Sequence, residues 1–498
     1  VRRRQLLKGS LAAAGLLAAQ RLPASTRATA GAEPLGWHSI LSDELPALAM
    51  DVEGDVPGVL RGTLLRNGPA RYRRGERRYD HWFDGDGMLQ QFHIDAGAIV
   101  HRGRFIATER YRKESAAGRF LYDGAGTDFA DLPPGRNNDS INVANTALLP
   151  WEDDVLALWE GGSAYRVDPS SLATRGTVTW GEGLEHMPFS AHPLVEADGS
   201  AWNFGFAPYT GGGGSLIVYR IAPRRGLLDL QLIPLPFGGY MHDFAMTGQH
   251  LVFLLPAYHY QRDAGTTFVE RFVWEPERGS RLLVIDKDDL DRRQWFELPA
   301  GFVFHFGHAA TRGSSLHLTL CWYDTPDIMG QRMRAMLRDG SARERLDARA
   351  AVVTADLGRG RAGLQISDTA LEFPGFYGAV PGPDAPLFGL GARRDGHGQR
   401  DTLCAFDAAA GLLDEFAHDR GVLAEEPLPV RARDGSRWLL QTTLDTRDAK
   451  TRLLIFDADA IGDGPRARAA MDRALPLGFH GTFLPAPPGA LSEALSGV

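Results

Sequence analysis

Leu454-Ile455-Phe456-Asp457 closes a β-type segment with a short apolar run and an acid, and six earlier segments close in a similar way. They are Phe92-His93-Ile94-Asp95, Tyr165-Arg166-Val167-Asp168, Tyr219-Arg220-Ile221-Ala222, Leu283-Val284-Ile285-Asp286, Val353-Thr354-Ala355-Asp356 and Cys404-Ala405-Phe406-Asp407. Successive ends lie 73, 54, 64, 70, 51 and 50 residues apart. Four short strands with their turns need about such a span, and four antiparallel strands make the blade of a propeller. Seven units therefore predict an all-β chain, a seven-bladed β-propeller. The 58 glycines and 30 prolines are spread as turn punctuation and never gather into a linker, which predicts one propeller domain over residues 35–498.

Two stretches depart from the β pattern. From Asp327 to Arg349, Met329, Met333, Met336 and Leu337 recur at helical spacing with Arg332, Arg334 and Arg338 between them. This predicts a cap helix packed by its methionines, and its basic face is the candidate for peripheral membrane contact. Over residues 1–30, Arg3-Arg4 precedes the apolar run Leu11 to Ala19 and then Ala28-Thr29-Ala30. That order reads as a twin-arginine (Tat) signal peptide, and the apolar run is too short to cross a bilayer, which takes about 20 residues. The expected location is periplasmic or exported, with membrane association.

Composition limits the chemistry. A net charge of −8 comes from 54 basic and 62 acidic residues, and there is no basic block to follow a phosphate backbone, so nucleic acid is not an expected partner. No protein partner is implied either. Cys321 and Cys404 form no CxxC pair, so any metal must be held by His, Asp or Glu. Four of the fifteen histidines sit among apolar or small residues near strands, in Ala191-His192-Pro193, Met241-His242-Asp243-Phe244, Phe304-His305-Phe306 and Phe479-His480-Gly481. A polar ring in such a place needs a partner. Their separations of 50, 63 and 175 residues match no local metal motif. Context alone leaves each as either a core histidine or a ligand.

A longer set of motifs carries a resemblance. Arg66-Asn67-Gly68-Pro69-Ala70 and His81-Trp82-Phe83-Asp84-Gly85-Asp86-Gly87-Met88 are followed in order by Asn145-Thr146, Leu158-Trp159-Glu160-Gly161, the four histidine segments, Glu372-Phe373-Pro374 and Glu426-Pro427. In this the chain resembles the carotenoid cleavage oxygenases, the family that includes the retinal pigment epithelium isomerase, over about residues 35 to 485. The resemblance implies a propeller capped by helices and loops over an axial iron site, with one Fe(2+) per chain. The implied ligands are His192, His242, His305 and His480, with Glu160, Glu372 and Glu426 behind them and Thr146 beside an open coordination position. The implied reaction is oxidative cleavage of a carbon–carbon double bond of a carotenoid or apocarotenoid by dioxygen, giving two carbonyl products. The expected partners are dioxygen and an apolar polyene. If the seven strand ends are used as cuts, Glu160, His192, His242, His305, Glu372 and Glu426 fall in six successive segments and His480 follows the last cut.

Other readings stay open at this point. A lignostilbene-type dioxygenase is the alternative within the family: Ile141 stands where stilbene-cleaving relatives tend to carry lysine, which favours a polyene, whereas Tyr111 lies where they use a tyrosine. An isomerase is a third reading. Propellers also host lactonases and adaptor modules, so fold alone does not decide. His308, three residues after His305 along a strand, is expected to face away from the metal. His81 is expected to be structural, and Asp84 and Asp86 lack the twelve-residue loop of a calcium site.

Overall fold

The computed structural model describes residues 33–340, 348–378, 385–393 and 400–487. The expected leader lies outside these residues, as does the 341–347 part of the stretch from Asp327 to Arg349.

Seven antiparallel sheets of four or five strands follow one another along the chain. Counting outward from the axis, blade II runs Ala147–Trp151, Asp154–Leu158, Tyr165–Val167, Thr174–Thr177, and blades III to VI repeat that order from inner strands Leu194–Val195, Ala245–Met246, Phe302–Arg312 and Glu372–Gly375. Blade VII begins at Val422–Arg431 and takes Asp51–Gly54, from near the start of the described chain, as its fifth and outermost strand. Blade I takes Gly481–Pro485 as its innermost strand, paired to Gly62–Arg71 from Gly62↔Pro485 to Arg66↔Gly481. The ring is thus latched twice, once at each end of the chain, and closure covers the blade faces that an open stack would expose, leaving only short outer edges.

All seven quoted strand ends belong to the third strand of a blade, one per blade. The third strand lies inside the blade, paired on both sides and covered on both faces, which explains its apolar run; Leu282, Leu283, Val284 and Ile285 are all buried. The outermost strand meets the solvent and alternates, as in Arg293–Leu298, where Phe296 and Leu298 point inward. The closing acid has its own cause. Asp407 accepts the backbone N–H of Ala409 at 2.8 Å and of Ala410 at 2.6 Å, and Asp168, Asp286, Asp356 and Asp457 accept from the residues two or three further on in the same way. The carboxylate makes the turn into the fourth strand.

Helix α1 (Glu109–Ala117) was not expected from the sequence. It starts on Thr108, whose hydroxyl accepts the N–H of Tyr111, and ends on Gly118 at φ 64°. Its buried face is charged: Arg110 and Glu114 are almost fully buried, so no apolar periodicity marks it. Helix α2 (Gln331–Asp339) is the expected cap and follows a short helical turn at Asp327–Met329. Met329, Met333, Met336 and Leu337 are buried, and Arg334 is held by the carbonyl of Gly126 at 2.6 Å, Glu270 at 3.0 Å and Asp80 at 3.2 Å. No helix among the described residues is long and apolar enough to cross a membrane.

Candidate metal centre

Each blade brings one side chain toward the centre from its inner strand or the residues just before it. In blade order II to VII and then I these are Thr146, His192, His242, His305, Glu372, Glu426 and His480. The strand-end cuts place Glu160 in blade II correctly; it follows that blade's second strand, Asp154–Leu158, and reaches His242 Nδ1 from there, while Thr146 precedes the inner strand. The C-terminal latch delivers His480 by a close backbone approach: Phe479 N–H donates to Asn67 O and Asn67 N–H to His480 O, both at 2.8 Å. A Cβ on Gly68 would lie 2.3 Å from the Cα of Gly478, so this approach requires glycine.

The four imidazoles converge, with one nitrogen from each lying within 4.8 Å of the others. His192 Nε2 is 2.9 Å from His242 Nε2, and His305 Nε2 is 3.2 Å from His480 Nε2. The opposite nitrogens of three rings are taken: His305 Nδ1 donates to Glu372 at 2.5 Å, His480 Nδ1 to Glu426 at 2.8 Å, and His242 Nδ1 to Glu160. This answers the pairing that the sequence left open. It also fixes the tautomers, since a proton held on Nδ1 leaves the Nε2 lone pair pointing inward. His192 has no glutamate; the nearest carboxylate to its Nδ1 is Asp243 at 3.9 Å.

Each glutamate is held by a further donor that sequence reasoning missed. Tyr240 Oη donates to Glu160 at 2.8 Å, Tyr323 Oη to Glu372 at 3.0 Å, and Arg66 Nη1 to Glu426 at 2.8 Å. Tyr240 had a signal, because it stands two residues before His242 in extended chain and so on the same side. Burial pushes the Glu372 carboxyl up, but His305 and Arg400 outweigh it and hold it below the usual range. The Glu426 carboxyl is likewise held down by His480 and Arg66 against burial. Burial, with the neighbouring rings, keeps His192 well below the ordinary histidine range and brings His305 down to about 4 against the pull of Glu372. His242 is moved up, because Glu160 outweighs burial; a cation beside its Nε2 opposes protonation there.

The donor set suits a metal ion. Four buried lone pairs aimed at one point are costly without a cation between them, and imidazole nitrogen suits Zn, Cu, Fe and Ni. Above the centre lies a cavity of about 300 Å³ whose wall near the histidines is formed by Phe83, Phe304, Phe373 and Phe479, with Met329 and Met333 of the cap also lining it. Thr146 and Ile141 line it too. The Thr146 hydroxyl donates to Asn145 Oδ1 at 3.1 Å.

The remaining candidates lie elsewhere. His308 Nε2 donates to Ala385 O at 2.9 Å, and the residue does not line the cavity. His81 bridges Met329 O and the N–H of Phe83. Asp84 binds Thr127 Oγ1 at 2.6 Å and Asp86 binds Arg74 at 2.5 Å, so both are structural. Tyr111 is a correction: its hydroxyl donates to Asp43 at 2.5 Å and its ring stacks on Phe105, away from the cavity, so it cannot hold a substrate phenol there. Cys321 and Cys404 are buried free thiols.

With the axial histidines in place, comparison with known proteins decides the family. Residues 40–485 match the family described as retinal pigment epithelial membrane protein. The chain belongs to that family, and so is an enzyme of the carotenoid cleavage oxygenase type. Among its relatives in the family is the apocarotenoid-15,15'-oxygenase of Synechocystis, 28% identical, with 87% of this chain and 92% of the relative covered. The isoeugenol monooxygenase of Pseudomonas putida is 26% identical, covering 87% and 94%. A crystal structure of cobalt-substituted Synechocystis apocarotenoid oxygenase superposes with a TM-score of 0.79 at 26% identity, over 91% of this chain and 98% of that one. The seven-bladed propeller is the fold of that family member.

Proposed function

We propose that the chain is a non-haem Fe(II) dioxygenase that cleaves a carbon–carbon double bond of a carotenoid or apocarotenoid. The observation that carries this is the group of four converging imidazoles, three backed by carboxylates, at the floor of a largely apolar cavity. The donor set alone also suits zinc, which has no redox chemistry. Membership of an oxygenase family supports iron. Bound at this centre, ferrous iron would supply the one-electron chemistry that lets dioxygen react with a closed-shell double bond.

The protein's own part is positioning. Glu160, Glu372 and Glu426 hold three rings in the ligating tautomer, and losing such a partner typically costs about 10–100-fold in affinity or activity. The phenylalanine wall excludes water and holds one bond of an extended substrate beside the centre. Thr146, whose hydroxyl is occupied by Asn145, narrows the space next to the histidines without offering a free donor. Both atoms of dioxygen enter the products: R–CH=CH–R′ and O2 give R–CHO and R′–CHO.

Cleavage in labelled dioxygen tests this. One label is expected in each carbonyl product, and a product without label would establish isomerisation instead. The similarity to an isoeugenol monooxygenase supports a second substrate class, the phenylpropanoids. Ile141 in the cavity wall, in place of a lysine, favours the polyene. For location, the proposal remains export through the twin-arginine segment, with α2 touching the membrane. Within that helix Arg334 is tied to Asp80 and Glu270, and Arg338, whose side chain is 69% exposed, pairs with its neighbour Asp339.

A further inference from the structure

One cation in the cavity wall acts in the chemistry above only through its long-range pull on Glu372, with its own donors uncommitted among the described residues. Arg400 lines the cavity, with its guanidinium 5.1 Å from the Phe373 ring centre and 5.9 Å from that of Trp82, two other lining residues. Its neighbours account for their charges. Arg66 is paired to Glu426, Arg271 donates to Gly265 O and Arg334 to Gly126 O, Glu270 and Asp80. Among the described residues, Arg400 meets no carboxylate within ion-pair distance and no acceptor for its side-chain N–H groups; only its backbone carbonyl is bound, by Ala424 N–H. Two aromatic faces hold it, and its five donors stay unused.

Its place relative to the centre is also defined. Phe373 packs 4.8 Å from the His305 ring and 5.3 Å from the His480 ring, so the guanidinium stands one aromatic ring away from two of the four histidines. A substrate end bound there would fix the distance from that end to the double bond lying over the centre.

We propose that Arg400 is a specificity-determining residue that binds an acceptor oxygen, a carboxylate most strongly and a carbonyl less so, at the near end of a conjugated substrate. This rests on the oxygenase reading for what happens to the substrate, but not for what binds. A planar fork of N–H donors in an apolar wall matches a carboxylate in two parallel bonds. A pure hydrocarbon end would leave those donors without partners, which disfavours uncut carotenes and favours already shortened, oxygen-ended chains. The reaction that supplies the substrate would then be an earlier oxidative cleavage, or oxidation of its aldehyde product to an acid.

Equilibrium binding of retinoic acid, retinal and retinol, which share one skeleton and differ in the terminal oxygen, tests this by quenching of tryptophan fluorescence on the purified full chain. The parent is expected to bind the acid most tightly and the alcohol least. Arg400→Gln is expected to weaken the acid by about 10- to 100-fold, the worth of a hydrogen bond to a charged group, with little change for the alcohol. Arg400→Lys should recover part of the loss. A parallel loss on all three ligands would mean that Arg400 acts only by supporting Glu372, and an unchanged order of affinities would mean that it does not read the terminus; either overturns the proposal. Binding does not depend on turnover, so a chain that fails to cleave any of the panel would count against the oxygenase reading and leave this result standing.

Discussion

Exchange of His242 for alanine is expected to reduce turnover by well over the roughly 100-fold that loss of an outer partner costs, and to make the remaining metal removable by a mild chelator. The geometry makes this ring the one whose loss spreads furthest. Its Nε2 stands 2.9 Å from that of His192, and its Nδ1 is the donor that Glu160 receives together with the hydroxyl of Tyr240. Alanine removes one of four inward lone pairs and releases a carboxylate beside the cavity. Metal affinity and turnover should therefore fall together, while the circular dichroism of the propeller stays unchanged, since no blade contact depends on the imidazole. Retention of metal and activity in His242→Ala would remove it from the ligand set.

Replacement of Arg66 by methionine is expected to destabilise the fold by about 3 kcal/mol, the lower end of the cost of breaking a buried ion pair from one side. The Arg66 side chain is 4% exposed and that of Glu426 14%, and Arg66 also donates to Phe479 O at 3.1 Å. Without it, the Glu426 carboxylate keeps only His480 Nδ1–H and the N–H of Gly481. The loss falls on the latch between Gly62–Arg71 and Gly481–Pro485, so unfolding in urea should show a lower midpoint at an unchanged slope. Adding Glu426→Gln, which removes the stranded charge, should return part of that stability. A double variant less stable than Arg66→Met by the full cost of the second change would show that the two side chains do not act as a pair.

The sequence carried the architecture further than it carried the site. The seven apolar ends were legible because each third strand is covered on both faces and all five closing acids with a turn role sit in the same register, accepting the N–H two residues on. Helix α1 escaped because its buried residues are Arg110, Tyr111 and Glu114, which carry no hydrophobic period. The four histidines converge, but sequence spacing held no trace of it: they meet only when the ring closes and each blade contributes from the same place. The same holds for Arg66 and Tyr323, which reach their glutamates from other strands and leave no local pattern. Which part of blade II carries Thr146 and which carries Glu160 was not legible for a related reason. A count of residues per blade cannot tell the inner strand from the loop after the second, and Thr146 and Glu160 lie on the two sides of one hairpin.

The central claim is that four histidines on a propeller axis hold one iron ion for oxygen chemistry. Elemental analysis of the purified full chain tests this most directly. The expected result is close to one iron per chain, lost in parallel with activity when His242 or His480 is replaced; calcium, zinc alone or no metal in an active enzyme would contradict it.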